Sequence, residues 1–204
     1  RFDEGYGLNN DALSQLHDEG VKLVITVDCG IRSPDEALHA RTIGLDLIIT
    51  DHHHPTDGPL PLAVAVINTK QEGDAYPDKE LAGVGIAYKL AEALVSNQQP
   101  TNGFRISSLL DLVALGTVAD LAPLVGENRF LVRRGLRQMR ETQRQGLFSL
   151  AGVADLNLAK VNATDIGFRL GPRLNAAGRL DKALAAYELL TTTDVSQAGQ
   201  LAQQ

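Results

Sequence analysis

The segment 21–51, VKLVITVDCGIRSPDEALHARTIGLDLIITD, decides the fold. Two apolar runs within it, 21–30 and 45–51, have the composition of buried parallel strands. The residues between them carry helix signals: Ser33 suits an N-cap, Pro34 suits the first turn, and Gly44 is a stop signal. The pattern predicts a right-handed βαβ unit. We therefore expect an α/β fold, with a parallel sheet flanked by helices.

Weaker patterns predict what surrounds this unit. Residues 62–68 indicate a third strand, and the C-terminal part of the chain indicates mainly helices. The predicted helices are 80–97, 106–120, a longer basic one at 127–146, and 181–192, while 165–180 alternates helix-like and loop-like pieces. We expect an α/β core with the metal site over 1–125. A helical part over 126–204 then leads towards a missing C-terminal substrate domain.

Composition limits the classes of function. With 44% hydrophobic and 22% charged residues, the 204-residue chain suits a globular protein with a substantial core. No apolar run reaches the roughly 20 residues of a membrane span, so we expect no membrane association. Cys29 is the single cysteine, which excludes an internal disulfide and fits a cytoplasmic location.

The charge is unevenly distributed. The net charge of −6 by itself argues against nucleic-acid binding. However, residues 1–128 carry 8 basic and 19 acidic side chains, whereas residues 129–204 carry 11 basic and 6 acidic ones. An acidic part suits cations and a basic part suits phosphates, with chance patterning as the open alternative.

Polar side chains follow both predicted strands of the βαβ unit. Asp28 ends the first strand, and Asp51 and His52 end the second. Open parallel sheets place their sites at this edge, so a carboxylate and an imidazole should converge there on a divalent ion. Mn²⁺ is the favoured ion, with Mg²⁺ or Zn²⁺ as alternatives. A third carboxylate, Asp120, follows the apolar helix 106–120; alone, it is more typical of an ordinary helix exit.

Five motifs together resemble the DHH phosphoesterase superfamily, and within it the RecJ-type single-strand-specific exonucleases. They are VITVDCG (24–30), TDHHHP (50–55), LAGVGIAYKL (81–90), ALGTVADLAPLVGENR (114–129) and GPRLNAAGRL (171–180). The triplet DHH alone would be poor evidence, but the ordered set is specific and the likeness runs through the whole chain. The resemblance implies Mn²⁺ or Mg²⁺ as cofactor, with two ions in the intact protein.

The resemblance also implies roles for residues of the metal site. Asp28 matches the aspartate that bridges the two ions, and His52 and Asp120 match further ligands. His53 matches a histidine that contacts the scissile phosphate, and Asp51 would orient a histidine from behind. His54 lies outside the matched pair and is expected to be a loop residue.

Phosphate binding is expected in the basic part of the chain. Arginine forks suit phosphate, and GPRLNAAGR offers Arg173 and Arg179, with Asn175 as a backbone contact. The resemblance assigns Arg1 and Arg179 to the substrate's 5′ phosphate; local pairing, for instance with Asp181, is the alternative. The arginines at 133, 137, 140 and 144 have helical spacing, which predicts either a basic stripe along DNA or a solvated face.

The resulting hypothesis is a 5′→3′ exonuclease that releases mononucleotides from single-stranded DNA in repair and recombination. The implied substrate is a 5′-phosphorylated single strand, and candidate partners are a single-stranded-DNA-binding protein or a helicase. Two alternatives stay open: a DHH-family oligoribonuclease or phosphatase, and a catalytically silent scaffold that binds DNA or a partner protein. The family's first Asp-rich motif is absent from the chain. We therefore expect the fragment to lack a complete dinuclear site and to be inactive alone.

Overall fold

The computed structural model describes residues 7–97, 103–180 and 183–204, with the side chains of 177–180 outside the description. The chain divides between Ser96 and Asn97 into two compact units, and each is described by itself. The domain boundary that we predicted at 125/126 stays a prediction.

The first unit is a three-stranded parallel sheet with helices. In chain order its elements are α1 (Asn10–Asp18), β1 (Leu23–Val27), α2 (Pro34–Thr42), β2 (Asp46–Thr50), β3 (Ala65–Ile67) and α3 (Gly83–Asn97). The strand order is β1-β2-β3, with Leu23 opposite Asp46 and Ile48 opposite Ala65. The predicted βαβ unit and the third strand are therefore confirmed. Helix α1 was not predicted; Asn9 caps it by accepting the N–H of Ala12 at 2.8 Å.

The core of this unit lies between the sheet and helices α1 and α2. Its buried side chains come from each of these elements: Leu13, Ala37, Ala40, Leu45, Leu47 and Ile49. Small alanines on α2 let the helix lie close to β2, where Ile49 is fully buried. Ser33 occupies the N-cap position of α2, but its side chain makes no capping hydrogen bond. The predicted N-cap position is therefore confirmed, and Pro34 and the acidic first turn accompany it as local start signals.

The second unit is helical. A 3₁₀ turn (Ile106–Leu109) leads into α4 (Leu110–Ala119), followed by α5 (Gly126–Met139) and α6 (Gln145–Val153). A second 3₁₀ turn (Leu158–Lys160) precedes α7 (Ala163–Asp165), a π-helical turn (Ile166–Leu170) and α8 (Gly171–Leu180). Helices α9 (Ala183–Thr191) and α10 (Val195–Gln203) complete it. The α/β class with a helical C-terminal part is thus confirmed; α6 and α10 were not predicted.

Close packing of α4 and α5 organises the second unit. A Cβ placed on Gly135 of α5 would lie 2.0 Å from the carbonyl oxygen of Leu110 in α4, so only glycine permits this approach. Around it, α4 contributes Ala114, Leu115 and Val118 to a core that also buries Met139. Helix α4 is apolar on nearly every side because the π-helical turn and α8 pack on it in addition to α5.

The single basic helix predicted at 127–146 is instead two helices. Helix α5 ends at Met139, and α6 begins at Gln145. The break is stabilised by Asp111 of α4, which is 1% exposed and accepts hydrogen bonds from Thr142 Oγ1 at 2.9 Å and Arg144 Nε at 3.3 Å. A continuous helix would carry both donors away from this buried carboxylate, whose burial requires partners.

The break also changes the predicted basic stripe. Arg140 donates through Nε and Nη2 to the carbonyl oxygen of Val161, at 3.1 and 3.0 Å. Arg144 binds Asp111 and the carbonyl of Leu190. Both side chains therefore tie the helical unit together, and the stripe of four arginines at 133, 137, 140 and 144 was wrong.

The segment GPRLNAAGRL is helical throughout, whereas we had predicted loop-like pieces there. Pro172 has no N–H to donate to the preceding turn, and its ring crowds the carbonyl four residues earlier. The π-helical turn that ends at Leu170 widens the helix at this point. The proline is thereby accommodated inside a helical segment that runs from Ala163 to Leu180.

No helix among the described residues has both the length and the apolar character of a membrane span.

Candidate metal centre

The end of β1 places the first carboxylate at the carboxyl edge of the sheet. Asp28 directly follows β1 and has a left-handed backbone, with φ of 64°. Its N–H donates to the carbonyl of Thr50 on β2 at 2.9 Å, and the hydroxyl of Thr26 donates to the carbonyl of Cys29 at 2.7 Å. A non-glycine residue rarely adopts this conformation, so these bonds hold the chain in a strained turn next to the site.

The end of β2 is built around a buried carboxylate. Asp51 is 1% exposed, and its Oδ1 accepts the N–H groups of His52 and His53 at 2.8 and 3.1 Å. Its Oδ2 accepts the N–H of Ile31 at 3.0 Å. Burial alone would raise the pKa of Asp51, but the hydrogen bonds from Ile31 and His53 outweigh it and lower the pKa. The side chain is therefore an anion with its acceptors filled by the loop.

His53 is oriented by that same carboxylate. Its Nδ1 lies 2.7 Å from Asp51 Oδ1, and because an ionised carboxylate only accepts, Nδ1 carries the proton. The other ring nitrogen, Nε2, is left for a ligand. The His53 side chain is 41% exposed, compared with 13% for His52. The two rings meet edge to face, with centroids 4.5 Å apart.

The structure brings Asp28 and His52 together at the sheet edge. His52 Nε2 lies 3.1 Å from Asp28 Oδ1, and ligand atoms of Asp28, His52 and His53 all lie within 4.8 Å of one another. Two ligands about 2.1–2.2 Å from one octahedral ion, at right angles, are about 3 Å apart. The residues therefore fit a divalent ion of the Mn²⁺ or Mg²⁺ size.

Helix α3 closes one side of this pair. Its first residue, Gly83, lies against the Asp28 carboxylate: a Cβ there would be 2.3 Å from Oδ1 and 2.8 Å from Cγ. The absence of a side chain on Gly83 is therefore what leaves room for Asp28. The contact of Gly83 with Asp28 was not predicted from the sequence.

Side chains from other parts of the first unit hold the loop 51–54, which carries the DHH motif. Asn68, which is 1% exposed and follows β3, donates from Nδ2 to the carbonyl of His53 at 2.8 Å. Arg32 donates from Nε to the carbonyl of His54 at 2.8 Å. Sequence reasoning missed both residues, because neither belongs to a metal or phosphate motif. The sequence signal that points to Asn68 is an asparagine at the end of a predicted strand, and its burial with a filled hydrogen bond is seen only in the structure.

A cavity of about 360 Å³ adjoins His53 and Asp51. Cys29, Arg32 and Ser33 are among the residues that line it, so the N-terminus of α2 opens onto it. Burial, and after it the charges of Asp51 and Asp28, raise the pKa of the Cys29 thiol. Cys29 is therefore a protonated thiol at neutral pH, and the cavity offers room for a small anion beside His53.

The remaining predicted site residues lie in the second unit or outside the described residues. Asp120 is the C-cap residue of α4 and is exposed. Arg173 and Asn175 are exposed on α8, and Arg173 Nη1 donates to the carbonyl of Arg169 at 2.8 Å. Arg1 and the side chain of Arg179 lie outside the described residues.

Comparison with known proteins agrees with the motifs. The family model described as "DHH family, N-terminal domain" matches residues 4–117. The single-stranded-DNA-specific exonuclease RecJ of Bacillus subtilis is 47% identical over 203 residues, which are 99% of this chain and 25% of that protein. RecJ of Escherichia coli is 43% identical over 211 residues, which are 99% of this chain and 36% of the relative.

The fold agrees as well. A crystal structure of exonuclease RecJ bound to manganese matches with a TM-score of 0.85 at 34% identity, over 100% of this chain and 50% of that one. RecJ of Thermus thermophilus in complex with Mn²⁺ matches with a TM-score of 0.80, over 96% of this chain and 28% of that one. The chain thus spans about a quarter to a third of the curated relatives, and the resemblance predicted from its motifs is confirmed. Because the family model covers more than half of the 204 residues, and the aspartate and DHH motifs stand at adjacent strand ends, the chain belongs to the DHH family.

Proposed function

We propose that the chain is the metal-binding part of a phosphodiesterase that degrades single-stranded DNA from its 5′ end and releases mononucleotides. The observation that supports this most is the pair of Asp28 Oδ1 and His52 Nε2, 3.1 Å apart beside a histidine held by a buried aspartate. The likeness to RecJ exonucleases, two of them crystallised with manganese, supports the substrate and the ion. The proposal includes a role in DNA repair and recombination and a cytoplasmic location.

Within this proposal Asp28 and His52 hold a divalent ion, Mn²⁺ or Mg²⁺, and Asp120 supplies the remaining carboxylate. A bound ion of this kind lowers the pKa of a water and stabilises charge on phosphoryl oxygens. Asp51 fixes the tautomer of His53, so that Nε2 points away from the carboxylate. His53 then contacts the scissile phosphate through Nε2 and, when protonated, donates towards the leaving oxygen.

Phosphate binding is assigned to the four polar residues predicted from the sequence, Arg1, Arg173, Asn175 and Arg179. An arginine fork binds two phosphate oxygens at once, and the exposed position of Arg173 on α8 is compatible with this role. A single-stranded-DNA-binding protein or a helicase as partner stays a prediction.

The first test is metal binding by the 204-residue chain. Thermal unfolding with and without Mn²⁺ should show that the ion stabilises the folded chain. The stabilisation should increase with the Mn²⁺ concentration as RT ln(1 + [L]/Kd). His52→Asn should remove this shift, whereas His54→Asn, in the same loop, should keep it. A chain that Mn²⁺ does not stabilise would contradict the proposal.

The second test is the substrate. Mononucleotide release is measured with Mn²⁺ from a 5′-phosphorylated single strand of about 30 nucleotides and from di- to pentanucleotides, using the protein that contains this chain. Preference for the long strand, and its loss in Asp28→Asn, is the expected result. Faster turnover of the short substrates would favour an oligoribonuclease, and metal binding without turnover would favour a silent scaffold.

A further inference from the structure

The outer face of α5 is a row of arginines with one aromatic ring. We call it the basic face; its members are all exposed, and they are Arg129, Phe130, Arg133, Arg134 and Arg137. At 100° per residue these five fall within an arc of about 140°. The buried residues of α5, such as Leu131, Gly135 and Met139, lie on the opposite side, where the helix packs on α4. Packing against α4 therefore leaves the basic face open.

The four arginines of the basic face differ from the other arginines of this unit. Arg140, Arg144 and Arg169 each donate to backbone carbonyls and fasten the helices together. Among the described residues, no guanidinium of the basic face takes part in a hydrogen bond or an ion pair. Glu141 lines a pocket of about 380 Å³ with Arg134 and Arg137, yet it makes no salt bridge to either among the described residues.

The positive charge of α5 contrasts with the negative net charge of the whole chain. Helix α5 holds four arginines and a single acidic residue, Glu127, while the whole chain has a net charge of −6. Unpaired arginines gathered on one face repel each other, and a polyanion relieves that repulsion. The positions 129, 133 and 137 are four residues apart, so their Cα atoms follow the helix axis at intervals of about 6 Å. Such a row suits an extended chain of phosphates.

Phe130 adds a feature that a simple anion site does not need. Its ring is 54% exposed, and the guanidinium of Arg134 lies 5.4 Å from the ring centroid. Aromatic rings and arginine planes stack on unpaired bases of single strands, whereas a duplex keeps its bases covered. An acidic peptide would satisfy the arginines but would leave the ring without a function. The combination therefore favours a single-stranded nucleic acid.

We propose that the basic face of α5 binds the backbone of the single-stranded substrate, with a base stacked on Phe130. This proposal deepens the proposed function, on which it rests, by adding a strand-binding surface on the helical unit. It also replaces the predicted stripe, because Arg129 and Arg134 take the place of Arg140 and Arg144.

The test is the binding of a fluorescent dT20 oligonucleotide to the 204-residue chain in EDTA, followed by anisotropy. Arg129→Gln/Arg133→Gln/Arg137→Gln removes three charges from the basic face. The matched control, Lys22→Gln/Arg41→Gln/Lys160→Gln, removes three exposed charges elsewhere. We expect the first variant to bind at least about tenfold more weakly. Its plot of log K against log salt should be shallower by about 2, since each phosphate contact on a single strand contributes about 0.7. The control should change the binding constant by no more than about twofold and should leave the slope of the salt plot as in the parent.

Phe130→Leu tests the stacking part with the charges intact. It should weaken binding of dT20 by about tenfold and leave binding of an abasic strand of equal length unchanged. Circular dichroism checks that all variants are folded. Equal binding by the parent and the triple arginine variant would overturn the proposal, and so would an equal loss in the control. Binding of a polyglutamate peptide that depends on the three arginines, without such dependence for dT20, would assign the face to an acidic protein instead. Because EDTA is present, these results are independent of the metal-binding test.

Discussion

Gly83→Ala should weaken metal binding about 100-fold without removing a ligand. The added Cβ would lie 2.3 Å from Asp28 Oδ1, 2.8 Å from Cγ and 3.0 Å from Cβ. Rotation of the carboxylate cannot relieve a contact that also involves the Cβ of Asp28, so this side chain or the start of α3 must move by about 1 Å. Metal ligands tolerate only about 0.2 Å of error in distance, and Asp28 would therefore no longer bind the ion held with His52.

The size of the effect follows from linkage. At a Mn²⁺ concentration about 100 times Kd, the ion stabilises the parent by about 2.7 kcal/mol. If the displacement weakens binding about 100-fold, the same concentration contributes only about 0.4 kcal/mol. The difference of about 2.3 kcal/mol corresponds to a loss of about 5–9 °C in the Mn²⁺-induced rise of Tm for a chain of this size.

The assay is differential scanning fluorimetry of parent and variant, each with Mn²⁺ and with EDTA. Gly152→Ala is the matched control, since a Cβ on this exposed helical glycine would meet nothing within 4 Å. Gly152→Ala should keep the full Mn²⁺-induced rise of Tm. In EDTA its free energy of unfolding should increase by about 0.5–1 kcal/mol, because alanine has a higher helix propensity than glycine. A Gly83→Ala protein that retains the parent's Mn²⁺ shift would refute the assignment of this glycine as the residue that makes room for Asp28.

Three further predictions concern stability. Asp51→Asn places an amide N–H₂ against the N–H of Ile31 or of the histidines, so we expect the free energy of unfolding to fall by about 2–4 kcal/mol. Urea unfolding in EDTA measures this, and a loss below about 0.5 kcal/mol would contradict the hydrogen-bonded loop. Asp111→Ala leaves Arg144 and Thr142 without their buried acceptor, so we expect the free energy of unfolding to fall by about 3–5 kcal/mol. The exposed Asp57→Ala should change it little. Desolvation alone would raise the pKa of Asp74, but the hydrogen bonds from the Tyr76 N–H and from Lys79 outweigh it and lower that pKa. Its stabilising effect is therefore present above about pH 4, the unfolded value, and is lost as pH falls through the lower folded pKa. Urea titrations at several pH values should show a shallower acid loss for Asp74→Asn, and unchanged slopes would exclude this contribution.

The sequence alone determined the sheet and the position of the candidate site on it. Alternation of apolar strands with one helix predicts a right-handed parallel unit, and parallel strands end at the same edge. The meeting of Asp28 with His52, 24 residues apart in the chain, follows from that rule without further information. The ordered set of five motifs identified the family, because each motif is a run of adjacent residues and needs no distant partner to be recognised.

Tertiary structure decided the features that depend on distant partners. Helical spacing of arginines continues through 127–146, but the helix stops at Met139 because Thr142 and Arg144 bond to Asp111, more than 30 residues earlier. The contact of Gly83 with Asp28 likewise joins residues from separate elements. Neither this contact nor the contacts of Asp111 can be recognised from a short stretch of sequence. The local pattern of apolar residues predicts which face of a helix or strand is buried. It does not predict where the helix ends, because that depends on the hydrogen-bond partners that a buried charge such as Asp111 requires from elsewhere in the chain.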